Sequence, residues 1–273
     1  MTNPGFAEKI MKPVKFLEKY IFPQDIYCIA CGAIIDESRT YRLCDSCMKK
    51  FRWIRGAACK KCGKALGKEK ERMALFGGNA AGICHDCRSR RHSFDGGYSC
   101  VSYGELEKKP LMKLKYAGDG YIADTLGEIM YDRLLPALAE DEGGCIPFDL
   151  IVPVPLHKKR QALRGYNQAA LIGRVLAAKL GLPFYANLLR RVKATEKMSR
   201  LGASERTENL EGAFAISGRS ADIAGKTILL VDDIYTTGNT ADAASAVLKS
   251  AGAKAVYIIT FASGSNFVPD TDE

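Results

Sequence analysis

The stretch TILLVDDIYTTGNTADAASAVLKSAGAKAVYIITFA, residues 227–262, leaves the chain little choice of fold. Four consecutive apolar residues, Ile228–Val231, read as a buried strand, and AVYIITFA (255–262) reads as another. Between them TADAASAVLKSAG (240–252) has helical apolar spacing and ends at Gly252. Continuous apolar strands separated by amphipathic helices imply an α/β fold, a parallel sheet with helices on both faces.

The same alternation extends upstream. Ser99–Tyr103 and DLIVPVP (149–155) are strand candidates, while Lys109–Tyr116, Ile122–Leu138 and NQAALIGRVLAAKLG (167–181) are helix candidates. Before about residue 95 the chain changes character: it is basic, rich in cysteine and without long periodic apolar segments. The reading is therefore an N-terminal helix and zinc-binding module over 1–95, then an α/β domain over 96–273. The first twenty residues form an amphipathic pattern through Phe6, Ile10, Phe16 and Leu17, which suits a short surface helix better than a targeting signal. No run of eighteen apolar residues occurs, so no membrane span and a cytoplasmic location are expected.

Eight of the ten cysteines fall in four Cys-x-x-Cys pairs. The spacings are C-x2-C-x12-C-x2-C (Cys28, Cys31, Cys44, Cys47) and C-x2-C-x21-C-x2-C (Cys59, Cys62, Cys84, Cys87). Two thiolates at that spacing chelate one ion, and four close a tetrahedral structural zinc site with no position for substrate. The doubled layout favours sequential pairing and two zinc ions, with interleaved pairing as the alternative. Cys100 and Cys145 lack a partner pattern and read as small apolar residues.

Lys49–Arg91 carries thirteen Lys/Arg against three Asp/Glu, more than the net +9 of the whole chain. Eight thiolates around two Zn²⁺ would lower that net charge to about +5 and leave a basic face. Phe51 and Trp53 lie among those charges, where they either stack on the bases of single-stranded DNA or form a miniature core.

The Ile228–Val231 strand ends in Asp232 and Asp233, followed by Thr236, Thr237, Gly238, Asn239 and Thr240 at a helix start. In open α/β sheets ligands sit outside the carboxyl ends of strands. Hydroxyls and backbone amides at a helix N-terminus cradle a phosphate, and Gly238 lets the backbone approach it. The two carboxylates suit the vicinal hydroxyls of a ribose and can organise Mg²⁺ through water. Without a lysine between the glycine and the helix, this is not an ATP-hydrolysing loop.

ILLVDDIYTTGNT (228–240) resembles the phosphoribosyl pyrophosphate (PRPP) signature of type I phosphoribosyltransferases. Together with VPVPLHKKRQALRGYNQAA (152–170), RTENLEGAF (206–214) and the cysteine pairs, it makes the chain similar to the ComF-type competence proteins, which include GntX-like members. The resemblance implies a zinc-binding part ahead of a phosphoribosyltransferase-like domain, PRPP or a related phosphorylated ribose as ligand, and a role in DNA uptake or processing alongside DNA-uptake proteins. It also implies a loop like the mobile lid of the enzymes around Leu201 and Arg206, where Met198 stands in place of the family's glutamine. By position, Arg160 and Arg164 would meet the pyrophosphate, and at most one of Lys113 and Lys115 would face the phosphates. His157 is as well explained by a surface position as by a role. The alternative function is an active, Mg-dependent transferase of salvage type without any DNA role. No residue is singled out as catalytic, since such transfer needs positioning and charge stabilisation rather than a covalent nucleophile.

Overall fold

The computed structural model describes residues 26–67, 82–116, 120–139, 147–193, 212–217 and 220–264. The proposed N-terminal helix, Cys145, and the segment with Met198, Leu201 and Arg206 lie outside them. Compactness divides the chain into two units, Met1–Lys50 and Phe51–Glu273.

In the first unit a tight knuckle follows Cys28, whose amide donates to Ala33 O at 2.8 Å while Gly32 N donates back to Cys28 O at 2.9 Å. A short helix, α1 (Asp45–Lys50), carries Cys47. Arg39 bridges Asp36 and Asp45 at 3.0 and 2.6 Å, tying the intervening loop to the start of that helix.

The second unit opens with the same knuckle. Cys59 N donates to Lys64 O at 2.8 Å and Gly63 N to Cys59 O at 2.7 Å. Helix α2 (His85–Ser89) then carries Cys87. Strands β1 (Gly96–Ser102), β2 (Leu150–Pro153), β5 (Thr227–Tyr235) and β6 (Ala255–Ser263) form one parallel sheet in the order β1-β6-β5-β2. A separate antiparallel pair joins β3 (Leu189–Arg191) to β4 (Phe214–Ile216). The helices are α3 (Glu105–Tyr116), α4 (Gly120–Ala139), α5 (Lys158–Arg164), α6 (Gln168–Leu180) and α7 (Asn239–Ser250).

Ile228, Leu229, Leu230 and Val231 are buried, because β5 lies inside the sheet with helices over it. Asn167 caps α6 by accepting from Ala169 N, and Gly181 ends that helix in the left-handed region at φ 66°. Gly127 of α4 faces Val175 of α6 so closely that a Cβ there would lie 2.7 Å from it. Helix α3 begins four residues before the Lys109 expected from the sequence and runs through Pro110. The backbone bond lost at the proline is offset by burying Pro110, Leu111 and Leu114.

The second tetrad belongs to the core of the sheet unit. Cys59, Cys62, Leu66, Cys84 and Phe94 share one apolar cluster with Leu230, Tyr235, Ala244 and Leu248. Among the described residues no helix is long and apolar enough to cross a membrane.

Candidate functional site

The cysteines gather as two sequential sets, Cys28, Cys31, Cys44, Cys47 and Cys59, Cys62, Cys84, Cys87, each with all sulfurs within 4.8 Å of one another. Cys31 and Cys44 Sγ stand 3.7 Å apart, as do Cys62 and Cys84. A tetrahedron with Zn–S bonds of about 2.3 Å has edges of about 3.8 Å, whereas a disulfide holds its sulfurs at about 2.05 Å. The geometry therefore fits a metal ion and excludes cross-linking. In both sets the amide of the third cysteine points at the first sulfur, Cys44 N to Cys28 at 3.4 Å and Cys84 N to Cys59 at 3.2 Å. These are structural zinc sites, and the sequential pairing expected from the spacing is the one formed. Cys100 is buried, and burial pushes its thiol up to about 12, as suits an inert apolar residue.

At the carboxyl end of β5, Asp232, Tyr235, Thr236, Gly238 and Thr240 line one cleft with Val154, the residue after β2. The strand runs two residues past the acids, because Ile234 and Tyr235 still pair with Ala262 and Ser263. Asp233 N donates to Asp232 Oδ1 at 2.8 Å. Asp233 in turn meets Lys115 Nζ at 2.7 Å, so of Lys113 and Lys115 it is Lys115 that reaches the acids. Burial, and then the charge of Asp233, push the Asp232 carboxyl up to about 8. Gly238 takes φ 83° and starts α7, with Asp242 N donating to Gly238 O at 2.7 Å. A Cβ at Gly238 would lie 2.5 Å from Tyr235 Oη, so only glycine fits this turn. Thr237 Oγ1 is buried in the loop without a hydrogen-bond partner.

The other cations are distributed unevenly. His157 caps α5, accepting from Lys159 N at 3.3 Å, which accounts for it structurally. Arg164 lies over the Tyr116 ring at 5.7 Å. Arg160 acts electrostatically on Arg191, a buried arginine of β3 that the sequence reading passed over. Burial, then repulsion from Arg160, hold the Arg191 guanidinium below its ordinary value, against the opposing pull of Asp232. Its signal was the alternation Leu189 in, Arg190 out, Arg191 in, which puts a charge on the inner face of a strand. Trp53 bridges to Val101 of β1 and tilts against buried Phe51 at 5.4 Å, so both aromatics have structural employment.

Comparison with known proteins adds to this geometry. Residues 17–88 match the double zinc ribbon domain, and residues 164–267 match the phosphoribosyl transferase domain. Competence protein F of Haemophilus influenzae is 28% identical over 231 residues, covering 85% of this chain and 94% of that protein. Competence protein ComFC of Bacillus subtilis is 26% identical over 252 residues, covering 86% and 93%. The DNA utilization protein YhgH of Escherichia coli K12 is 26% identical over 219 residues, covering 79% and 94%. With paired cysteine tetrads and a parallel sheet bearing the acidic loop, the chain is similar along most of its length to the ComF-type competence proteins.

Proposed function

We propose that the chain binds PRPP, or a related phosphorylated ribose, at the end of β5 and acts in DNA uptake or processing. The observation that carries the ligand is the meeting of Asp232 and Asp233 with the Thr236–Thr240 loop at one strand end and helix start. Loop amides and hydroxyls would take the 5′-phosphate, and the carboxylates the ribose hydroxyls. Arg160 and Arg164 would neutralise the pyrophosphate, with Arg191 as a third, inner cation. Asp232 and Asp233 would hold Mg²⁺ through water, and the ion would supply charge screening for the pyrophosphate. Support for the DNA role comes from the names of the relatives and from the basic stretch Lys49–Arg91. Functionally the chain divides near residue 95, with zinc-binding chemistry in 1–95 and ligand-binding chemistry in 96–273. The same site would serve transfer if an acceptor docks against C1′, with the protein supplying position and charge.

Ligand binding to the native state alone raises the melting temperature. PRPP with Mg²⁺ at about a hundred times its dissociation constant is expected to add about 2.7 kcal/mol, or about 5–10 °C for a chain of this size. No shift at millimolar PRPP would refute the ligand. Single-stranded DNA should bind with an affinity that falls steeply between about 50 and 200 mM salt. A flat salt response would remove DNA from the basic face.

A further inference from the structure

Helix α7 begins with two polar residues whose side chains turn away from the helix toward a segment about 150 residues earlier. Asp242 accepts from Ser93 N at 2.8 Å through one oxygen. Through the other it meets His92 Nδ1 at 2.8 Å and Arg90 Nη2 at 3.4 Å. Arg90 also donates to Asn239 Oδ1. An acid in the first turn of a helix ordinarily serves the helix's own amides and dipole. Here both oxygens serve Arg90–Ser93, the strap that leaves α2 three residues after Cys87.

The strap is anchored underneath as well. The His92 side chain is 1% exposed and stacks on Phe94 at 4.7 Å, and Phe94 meets the edge of Tyr235 at 6.1 Å. Lys64, buried between Cys62 and Leu66, holds Asp86 of α2 at 2.8 Å and lies 5.5 Å from the Tyr235 ring centre. Tyr235 in turn fills the space beneath Gly238. Two routes therefore join the second cysteine tetrad to the phosphate loop, one over its first helical turn and one under its glycine.

We propose that Arg90, His92 and Asp242 are positioning residues, which make ligand binding at Thr236–Thr240 dependent on zinc in the second tetrad. Zinc fixes Cys84 and Cys87, and these fix the near end of the strap. The strap holds Asn239 and Asp242 so that the loop amides converge on one anion. Without the ion the strap is held at one end only, and the first turn of α7 frays. This inference rests on the ligand reading above, but its mechanical half can be measured without ligand.

The experiment compares the full chain with Asp242→Ala, Arg90→Ala, Asp242→Asn and Cys87→Ser. PRPP affinity is measured by calorimetry, amide hydrogen exchange at residues 239–242 by mass spectrometry, and zinc by elemental analysis. Asp242→Ala and Arg90→Ala should lose about tenfold in affinity, which corresponds to about 1.4 kcal/mol, with two zinc ions retained and exchange at 239–242 accelerated. Asp242→Asn keeps an acceptor for the Ser93 amide and should recover part of the loss, which general destabilisation would not predict. Cys87→Ser should speed the same exchange even if it also weakens the core. Lys226→Ala, which removes an ion pair with Asp149 at the other end of β5, should leave affinity unchanged. Affinities within twofold of the parent for both alanine variants would overturn the proposal. If the parent binds no PRPP, faster exchange in the three strap variants would uphold the coupling while sinking the ligand reading. Unaltered exchange would sink the coupling.

Discussion

Asp232→Asn combined with Asp233→Asn is expected to weaken PRPP binding more than a hundredfold, while Asp232→Asn alone makes the protein more stable. Each carboxylate would make charge-assisted hydrogen bonds to the ribose, and each such bond contributes about 1.5–3 kcal/mol. In the free protein the charge on Asp232 is a burden, since burial and the neighbouring acid push that carboxyl up to about 8 from its ordinary 3.8. Between about pH 4 and 8 the folded chain therefore holds a proton that the unfolded chain has released, and stability falls as pH rises through that window. Asparagine cannot ionise, yet it keeps an acceptor for Asp233 N. Asp232→Asn alone should then melt higher than the parent, by an amount that grows across the window to about 1–3 kcal/mol at pH 8. Calorimetric titration and melting curves at pH 5 and 8 measure both halves. Undiminished affinity would displace the acids from the site, and a stability difference independent of pH would deny the raised carboxyl.

Cys31→Ser is expected to unfold most of the first unit and leave the sheet standing. Among the described residues of that unit the buried apolar set is Cys28, Ile29, Ala30, Ile35, Leu43 and Cys47, and two of these are metal ligands. So small a core does not hold a fold without its ion, whose binding contributes about 10–16 kcal/mol in zinc-finger peptides. Elemental analysis should fall from two zinc ions to one, amide exchange across 26–50 should become fast, and melting of Phe51–Glu273 should stay within a few degrees. Two ions retained, or loss of protection throughout the sheet, would contradict that independence.

Much of the site was legible because its pattern is local. An apolar run, two acids and a polar turn lie within thirteen residues, and strand end, loop and helix start follow from them. The cysteine sets were legible for the same reason. Arg191 was not, because β3 has only three residues and its partner β4 lies beyond a long intervening segment. The strap was invisible for a stronger reason: Arg90, His92 and Ser93 bond to residues 149 and 150 positions away. Composition describes a basic cysteine-rich module before residue 95, yet Leu66 and Phe94 turn one side of it into the sheet unit's core. Charge counting also treats Asp242 as a solvated acid, although three groups converge on it.

Strand β1 pairs with β6, and Ser99 bonds to Thr260 across 161 residues of chain. During synthesis the first strand of the sheet therefore emerges long before its neighbour exists. It must remain unpaired until β6 clears the ribosome, since β6 is the strand joining it to β5. Folding of the second unit is consequently governed by contacts between distant segments, which makes it slow for its size. A ribosome stalled before Ala255 would release a chain with its cysteine tetrads complete and no partner for its first strand.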